Sequence, residues 1–250
     1  MSTLKKVVVV GGTGLVGAKA VTLLRDAGYD VVVASSKNGI NAYTGEGLEA
    51  ALVDADAVID VSNMLSFDEP VIRDFFGRSS RNLTAAEKVA GVRHHVVLSI
   101  VGTDGLVANP YMSGKQAQED AVKESGQAHT IVRATQFYEF MDTLADAYTV
   151  DGAVVVPDID FQPLAADDVA AALVEVATGN PRNGIVDLAG PERAPFKNMM
   201  KAYLEAKGDA RNVSADAALG YFGAPVTTTS IVPTGDTLTG KIPLADWLRK

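Results

Sequence analysis

The segment Val7-Val-Val-Val-Gly-Gly-Thr-Gly-Leu-Val-Gly17 is the most informative part of the sequence, because it leads from an apolar run through glycines into a helical pattern. Four consecutive valines are typical of a strand that is covered on both faces. The apolar periodicity of Ala18–Ala27 then predicts an amphipathic helix. Gly11 permits a tight turn, Gly14 lets backbone amides approach a pyrophosphate, and Gly17 lets the helix pack closely on the sheet. The pattern therefore favours a dinucleotide site over a plain strand-to-helix turn.

Strands and helices alternate along the rest of the chain. The predicted strands are Val7–Val10, Val31–Ala34, Ala57–Val61, Val96–Ser99 and Thr130–Val132, and the predicted helices between them are Gly14–Ala27, Gly47–Val53, Pro70–Ala90 and Tyr111–Ser125. A short strand near Ala42 is left open. The later pattern indicates helices at Gln136–Ala147, Asp167–Ala177 and Phe196–Ala206, and strands at Ala153–Val156 and Ile185–Leu188.

Alternation of this kind implies parallel strands that are joined by right-handed crossovers. We therefore predict an α/β fold, a doubly wound parallel sheet of the Rossmann type with a small C-terminal substrate cap. One domain is expected over residues 1–250, in which residues from about 136 to 250 contribute the smaller substrate-pocket region.

Composition excludes several classes of function. The 250 residues carry 22 Lys and Arg against 31 Asp and Glu, a net charge of −9, and this balance opposes direct binding to nucleic acid. The absence of cysteine excludes disulfides, thiolate metal sites and a cysteine nucleophile. No apolar run approaches the ~18 residues of a membrane span, and the first residues lack a signal-peptide core. We expect a cytoplasmic protein with a small-molecule substrate and no metal, present as a monomer or weak homodimer.

The residues after the second predicted strand bear on the choice of cofactor. NAD sites of this class usually place an acidic residue there to bind the ribose hydroxyls. This chain has Ser35, Ser36 and Lys37 instead, and Asp30 lies at the other end of the strand. Two hydroxyls and an ammonium suit a 2′-phosphate, so NADP is favoured over NAD, with a solvated turn as the alternative.

Three polar side chains suggest proton chemistry near that cofactor. Tyr111 and Lys115 share one face of a predicted helix, and Ser99 ends the strand before it. An ammonium close to a phenol lowers the phenol pKa, which suits Tyr111 as a proton donor to a carbonyl. The Ser99 hydroxyl would orient the carbonyl oxygen, since ligands bind at the carboxyl ends of such strands.

These motifs together resemble the short-chain dehydrogenases/reductases, specifically their atypical, NmrA-like branch. The matching residues are Gly11–Gly17, Val97–Gly102, Tyr111 with Lys115, and Ile131–Gln136. Where extended members have Pro after the Arg of the sixth strand, this chain has Ala134, and Asn82 is displaced from the position of the helix Asn of the classical enzymes.

The resemblance also implies where the cofactor lies. It implies that the pyrophosphate contacts Thr13, Gly14, Leu15 and Val16, beside Gly11 and Gly17, and that Ser62 and Asn63 lie near the adenosine side. Tyr111 and Lys115 would lie by the nicotinamide and its ribose. Residues 134–137, with Thr135 among the cofactor contacts, would flank the nicotinamide.

Other conspicuous residues have simpler interpretations. His94 and His95 point to opposite faces of a strand and are not expected to share a metal. Asp167 and Asp168 are expected to cap a helix. A group of large side chains is equally compatible with core and with pocket wall: Phe137, Tyr138, Phe140, Met141, Met64, Phe67 and Phe161.

The main functional hypothesis is an NADP-dependent oxidoreductase that transfers a hydride between nicotinamide and a small carbonyl or quinone-like substrate. One alternative is a non-catalytic NAD(P)-binding sensor that acts through a protein partner. A second is an NAD(P)-dependent epimerase.

Overall fold

The computed structural model describes residues 6–66 and 68–249. Its strands in chain order are β1 (Lys6–Val10), β2 (Asp30–Ala34), β3 (Ala57–Asp60), β4 (His94–Ile100), β5 (His129–Ala134), β6 (Thr149–Val150), β7 (Ala153–Pro157), β8 (Asp160–Phe161), β9 (Gly184–Ala189), β10 (Ala194–Pro195), β11 (Val213–Asp216) and β12 (Thr237–Thr239). Seven of them form a parallel sheet in the order β12-β9-β5-β4-β3-β1-β2. The predicted doubly wound α/β fold is confirmed.

The helices are α1 (Leu15–Asp26), α2 (Leu48–Leu52), α3 (Glu69–Ala90), α4 (Pro110–Ser125), α5 (Met141–Ala147), α6 (Ala166–Thr178), α7 (Phe196–Lys207) and α8 (Leu244–Trp247). Helices α1 and α6 cover one face of the sheet, and α2, α3 and α4 cover the other. The valine side chains of β1 alternate between the two faces of the sheet, so both faces are apolar and must be buried. Val7 and Val9 pack toward α1 and α6, whereas Val8 and Val10 pack toward α2 and α3, and all four are buried.

The later part of the chain builds a second core. Strands β6, β7 and β11 form a small sheet, β8 pairs with β10, and α5 and α7 pack beside them. The core of this region includes Tyr138, Phe161 and Phe196, and Leu106 from the β4–α4 connection and Met112 of α4 pack into the same cluster. Strands β9 and β12 nevertheless belong to the seven-stranded sheet, and α6 packs on its face. The chain after residue 136 therefore contributes to both the main sheet and the second core.

The structure settles the strand left open near Ala42 and corrects the start of one predicted helix. Residues around Ala42 form no strand, because the Asn82 amide binds the carbonyls of Ala42 and Tyr43 at 3.0 and 2.9 Å and fixes a loop. The helix predicted from Gln136 begins later, because Gln136 and Tyr138 exchange backbone hydrogen bonds with Leu164 in strand fashion. A 3-10 turn and α5 follow.

Asp167 and Asp168 lie in the first turn of α6, where they complement the helix dipole as predicted, but neither of them caps the helix. The Glu139 carboxylate accepts the Ala166 amide of α6 at 3.1 Å and occupies the capping position. Asp167 instead pairs with Lys19, and Asp168 accepts backbone amides from the β12–α8 connection. Across residues 6–66 and 68–249, the helices are too short or too polar to cross a bilayer.

Candidate cofactor and active site

The glycine turn lies at the carboxyl end of β1, beside the ends of β2 and β3. Gly11 has φ +78°, and a Cβ there would lie 2.7 Å from the Val61 carbonyl oxygen. Its amide donates to Ala34 at 2.9 Å, which ties the turn to β2. The positive φ and the close approach together require glycine at this position.

The other two glycines shape the start of α1. A Cβ at Gly17 would overlap the Gly11 carbonyl and lie 2.7 Å from the Cα of Gly12. A Cβ at Gly14 would meet only the Gly11 oxygen, at 3.3 Å, and Thr13, Gly14 and Leu15 are exposed. Gly14 precedes α1 without a side-chain cap, so the first amides of the helix are available to an anion. This cradle fits a pyrophosphate.

Two buried hydroxyls point to the same ligand. Within the described part of the chain, the Ser35 and Ser62 hydroxyls are buried and have no hydrogen-bond partner. A buried polar group without a partner is unfavourable, so these atoms are expected to meet a ligand or water. Ser36 and Lys37 lie exposed in the turn after β2. The residues beside the cradle therefore suit a polar ribose and its phosphate.

Tyr111 opens α4 next to this site, and the Asn109 side chain caps the helix. The Tyr111 hydroxyl donates to Asn63 Oδ1 at 2.8 Å, and its ring packs edge-on against Phe76. Burial raises the pKa of Tyr111 to about 12, and the neighbouring Asn63 amide, whose N–H groups could bind a phenolate, opposes that rise. The expected lowering of the phenol pKa by Lys115 is wrong for the resting protein.

Asn63 lies beside the start of α4. The loop after β3 reaches across to that helix and brings Asn63 against Tyr111, and its place near the adenosine side stays a prediction. Strands β3 and β4 are neighbours, so the segments that follow them meet at one edge of the sheet.

Lys115 is buried beneath this edge. Its Nζ donates to the Leu98 carbonyl at 2.6 Å and to Gln118 Oε1, and it lies 4.7 Å from the centre of the Phe76 ring. Gln118 in turn donates to Asp60 at 3.0 Å. Burial lowers the pKa of Lys115 to about 8, although the Asp60 and Glu119 carboxylates oppose the shift.

Ser99, at the end of β4, is bound by a neighbouring carboxylate. Its hydroxyl is buried and donates to Glu119 at 2.6 Å. Arg133 holds the same carboxylate with two bonds of 2.8 Å and also reaches Asp104 at 3.1 Å. Burial alone would raise the pKa of Glu119, but the bonds from Arg133 and Ser99 hold it below its ordinary value.

Sequence reasoning missed this ion pair, although the sequence carries a signal for it. Arg133 directly follows the apolar pair Ile131 and Val132 in a buried strand, and a buried charge in such a strand requires a partner. Glu119 lies four residues after Lys115 on the predicted helix, so the spacing alone places Glu119 on the same helix face as Lys115. Asp60 and Gln118 carried no comparable signal, because their pairing joins positions 58 residues apart.

The remaining candidates divide between core and surface. The Thr135 hydroxyl donates to the Gln162 carbonyl at 2.6 Å. Phe137 and Phe140 stack with their centroids 5.7 Å apart, and Phe140 is exposed. The other members of the large-side-chain group differ: Tyr138, Met141 and Phe161 are fully buried in the second core, Met64 is half-buried, and Phe67 lies outside the described residues.

The histidines are structural in the arrangement seen. His94 lies 2.9 Å from the Thr130 hydroxyl, and His95 lies 2.8 Å from the Glu87 carboxylate. No group of three or more potential metal ligands occurs among residues 6–66 and 68–249.

The parallel sheet and the glycine cradle define an NAD(P)-binding protein of the Rossmann class. Residues 11–180 match the family described as NAD(P)H-binding. The chain belongs to this family, and this agrees with the resemblance of its motifs to the atypical, NmrA-like short-chain dehydrogenases/reductases.

Three named proteins illustrate the relationship. A (4-alkanoyl-5-oxo-2,5-dihydrofuran-3-yl)methyl phosphate reductase of Streptomyces griseus is 31% identical over 204 residues, 74% of this chain and 68% of that protein. An NAD(P)H azoreductase of Xenophilus azovorans is 28% identical over 221 residues, 81% of this chain and 74% of that protein. The photosystem II assembly factor Ycf39 of Synechocystis is 31% identical over 159 residues, 58% of this chain, and the match spans only about half, 48%, of that protein.

Solved structures support the fold. MoeE5 in complex with UDP-glucose and NAD superposes with a TM-score of 0.74 at 18% identity, covering 98% of this chain and 96% of that one. The dTDP-4-dehydrorhamnose reductase of Bacillus anthracis in complex with NADP gives 0.72 at 16% identity, covering 93% and 90%.

Proposed function

We propose that the protein is an NADPH-dependent reductase of a small, largely apolar carbonyl or quinone-like substrate. The observation that carries this proposal is the position of Tyr111. Its hydroxyl meets the loop after β3 at the carboxyl edge of the sheet, and the glycine cradle lies at the same edge. A proton donor and a dinucleotide cradle at one edge are what the reduction of a carbonyl requires.

We assign the following binding and proton-transfer roles to residues of this chain. The amides after Gly14 would bind the pyrophosphate, and Ser35, Ser36 and Lys37 would bind the 2′-phosphate and its ribose. The dinucleotide supplies the hydride when it is bound. Tyr111 would give its hydroxyl proton to the substrate oxygen as the carbon is reduced. The resulting phenolate would recover a proton from water.

Lys115 and Ser99 need a rearrangement to take part. Lys115 would bind the nicotinamide ribose only after exchanging its bond to the Leu98 carbonyl. Ser99 would orient the substrate oxygen only after leaving Glu119. We therefore assign the proton to Tyr111 and give the other two residues supporting roles that depend on cofactor binding.

A second candidate function is a dinucleotide sensor without turnover. The positions of Lys115 and Ser99 favour it, because neither side chain forms a hydrogen bond with Tyr111 among the described residues. Turnover separates the two candidates, since a sensor binds NADPH but does not oxidise it.

The decisive experiment is a screen for NADPH oxidation with carbonyls, quinones and azo dyes, the last because one relative is named as an azoreductase. Oxidation that depends on both substrate and Tyr111 supports the reductase. Tight NADPH binding with no turnover across the panel would favour the sensor instead.

A further inference from the structure

Asn63 is the one polar side chain that contacts the Tyr111 hydroxyl among the described residues. Its Oδ1 accepts the hydroxyl proton at 2.8 Å. Asn63 is itself exposed, and within residues 6–66 and 68–249 no hydrogen bond holds its Nδ2. The amide therefore has two donor hydrogens free to turn toward the same oxygen.

The charged groups around Tyr111 are engaged elsewhere. On α4, Lys115 binds Leu98 and Gln118. On α3, Glu69 and Arg73 both bind the Ser113 hydroxyl, at 2.7 Å each. The carboxylates beneath the site also have partners: Asp60 binds Gln118 and Ser62, and Glu119 binds Arg133 and Ser99.

Loss of the hydroxyl proton changes the kind of hydrogen bond that a tyrosine oxygen can form with its neighbour. The neutral hydroxyl donates a hydrogen bond, whereas the phenolate can only accept. A carboxamide serves both states, because rotation about its last bond exchanges an acceptor oxygen for a donor N–H. A carboxylate serves the first state only, and a methyl group serves neither.

We propose that Asn63 is a positioning residue for Tyr111: its carbonyl oxygen holds the Tyr111 hydroxyl at rest, and its N–H groups stabilise the Tyr111 oxygen once the proton has left. In the reductive direction the Tyr111 O–H bond breaks, the substrate O–H bond forms, and the electron pair stays on the Tyr111 oxygen. The hydride comes from NADPH, which becomes NADP⁺, and water later returns the proton. This catalytic part rests on the proposed function, whereas the contact itself does not.

The contact is tested without substrate by titrating Tyr111. The phenolate absorbance of each protein is compared with that of the same protein carrying Tyr111→Phe, and the difference isolates this one tyrosine. Asn63→Ala is expected to raise the pKa of Tyr111 by about one unit, and Asn63→Asp by more, because a carboxylate repels a phenolate. Asn63→Gln is expected to restore part of the shift. The control Asn212→Ala, an exposed amide before β11, should change nothing.

A second measurement covers the case in which alkali unfolds the protein first. The ¹³C chemical shift of Tyr111 Cζ at neutral pH reports the hydrogen bond directly, and Tyr111→Phe assigns the signal. A changed shift in Asn63→Ala supports the contact. Equal shifts, or equal titrations, in wild type and Asn63→Ala overturn the inference.

Kinetics test the catalytic part on any substrate found active. Asn63→Ala is expected to lower kcat about tenfold with a smaller change in KM, and to move the pH profile with the titration. If Tyr111→Phe retains full turnover, the assignment of the proton to Tyr111 fails while the titration still decides the contact. If Tyr111→Phe is inactive and Asn63→Ala has a wild-type pH profile, the role of Asn63 fails and the proposed function stands.

Discussion

The Lys115 ammonium lies 2.6 Å from the Leu98 carbonyl oxygen, so the lysine is bound to β4 in the resting protein. An i, i+4 spacing puts Tyr111 and Lys115 on one face of α4, but a lysine side chain is long enough to pass beneath the sheet edge. Carbonyl, amide and aromatic partners then hold the buried charge. In the proposed function, a ribose that bound Lys115 would compete with these partners.

The burial of Lys115 predicts a pH-dependent affinity for the cofactor. Burial lowers the pKa of Lys115 to about 8, so its positive charge is lost as the pH rises through that value. NADPH affinity is expected to fall between about pH 7 and 9.5 in wild type, and Lys115→Met should bind more weakly with a flatter profile. Calorimetric titration across this range measures both. Lys201→Met, an exposed lysine on α7, serves as the control. A profile for Lys115→Met as steep as that of wild type would exclude the lysine as the source.

Tyr111→Phe tests the proton donor. The substitution removes the hydroxyl and its bond to Asn63 but keeps the ring that packs on Phe76. Turnover on a confirmed substrate is expected to fall by about 10²–10⁴, the usual contribution of general acid catalysis. NADPH affinity should change little. Steady-state rates and calorimetry measure the two effects, and unchanged turnover would assign the proton to another group.

The sequence predicted the sheet well, because its evidence is local. The β1 valines are apolar on consecutive positions, and the structure buries them on both faces. The hydrogen bonds of the candidate site were predicted less well, since each side chain can reach more than one partner. Lys115, Ser99 and Asn63 have alternative partners within reach, and only packing decides among them. The contacts with Leu98, Glu119 and Tyr111 join positions that no sequence pattern links.

The exposed Lys37 should discriminate between the two dinucleotides. It lies in the turn after β2, next to the buried Ser35 hydroxyl. An exposed ion pair contributes modestly, so Lys37→Ala is expected to weaken NADPH about three- to tenfold and to leave NADH unchanged. Paired calorimetric titrations with the two cofactors make the comparison. Equal losses for both would remove the basis for NADP preference.

His94 predicts acid sensitivity of the fold. Burial, with the nearby positive charge of Arg93, lowers the pKa of His94 to about 4 from an ordinary 6.5. The unfolded chain therefore takes up a proton first, and stability is lost as the pH falls from about 6.5 toward 4, by about 3 kcal/mol in all. His95 acts in the opposite direction: burial lowers its pKa, but Glu87 raises it overall, so its contribution is lost as the pH rises.

The variant His94→Gln isolates this effect, because the glutamine amide can keep the bond to Thr130 and does not titrate. Urea unfolding at pH 7 and pH 4.5 should show a smaller loss of stability in His94→Gln than in wild type. The His95 contribution is common to both proteins and cancels. Equal losses in the two proteins would show that acid acts through other groups.

Gly14 and Gly17 form a matched pair that separates cofactor binding from folding. A Cβ at Gly14 would meet only the Gly11 oxygen at 3.3 Å, and the residue faces solvent. The fold should therefore accept Gly14→Val, while the branched side chain blocks the approach of a pyrophosphate to the α1 amides. NADPH and NADH should both bind at least about tenfold more weakly, since they present the same pyrophosphate.

Gly17→Ala should behave in the opposite way. Its Cβ would overlap the Gly11 carbonyl and crowd Gly12 at 2.7 Å, where backbone rather than a flexible side chain must move. The expected result is a loss of thermal stability in the absence of cofactor, whereas Gly14→Val keeps a melting temperature near that of wild type. Circular dichroism and calorimetric titration of the two variants give the comparison. A folded Gly14→Val protein that binds either dinucleotide as tightly as wild type would reduce the glycine stretch to a turn between β1 and α1, and the proposed function would lose its cofactor site.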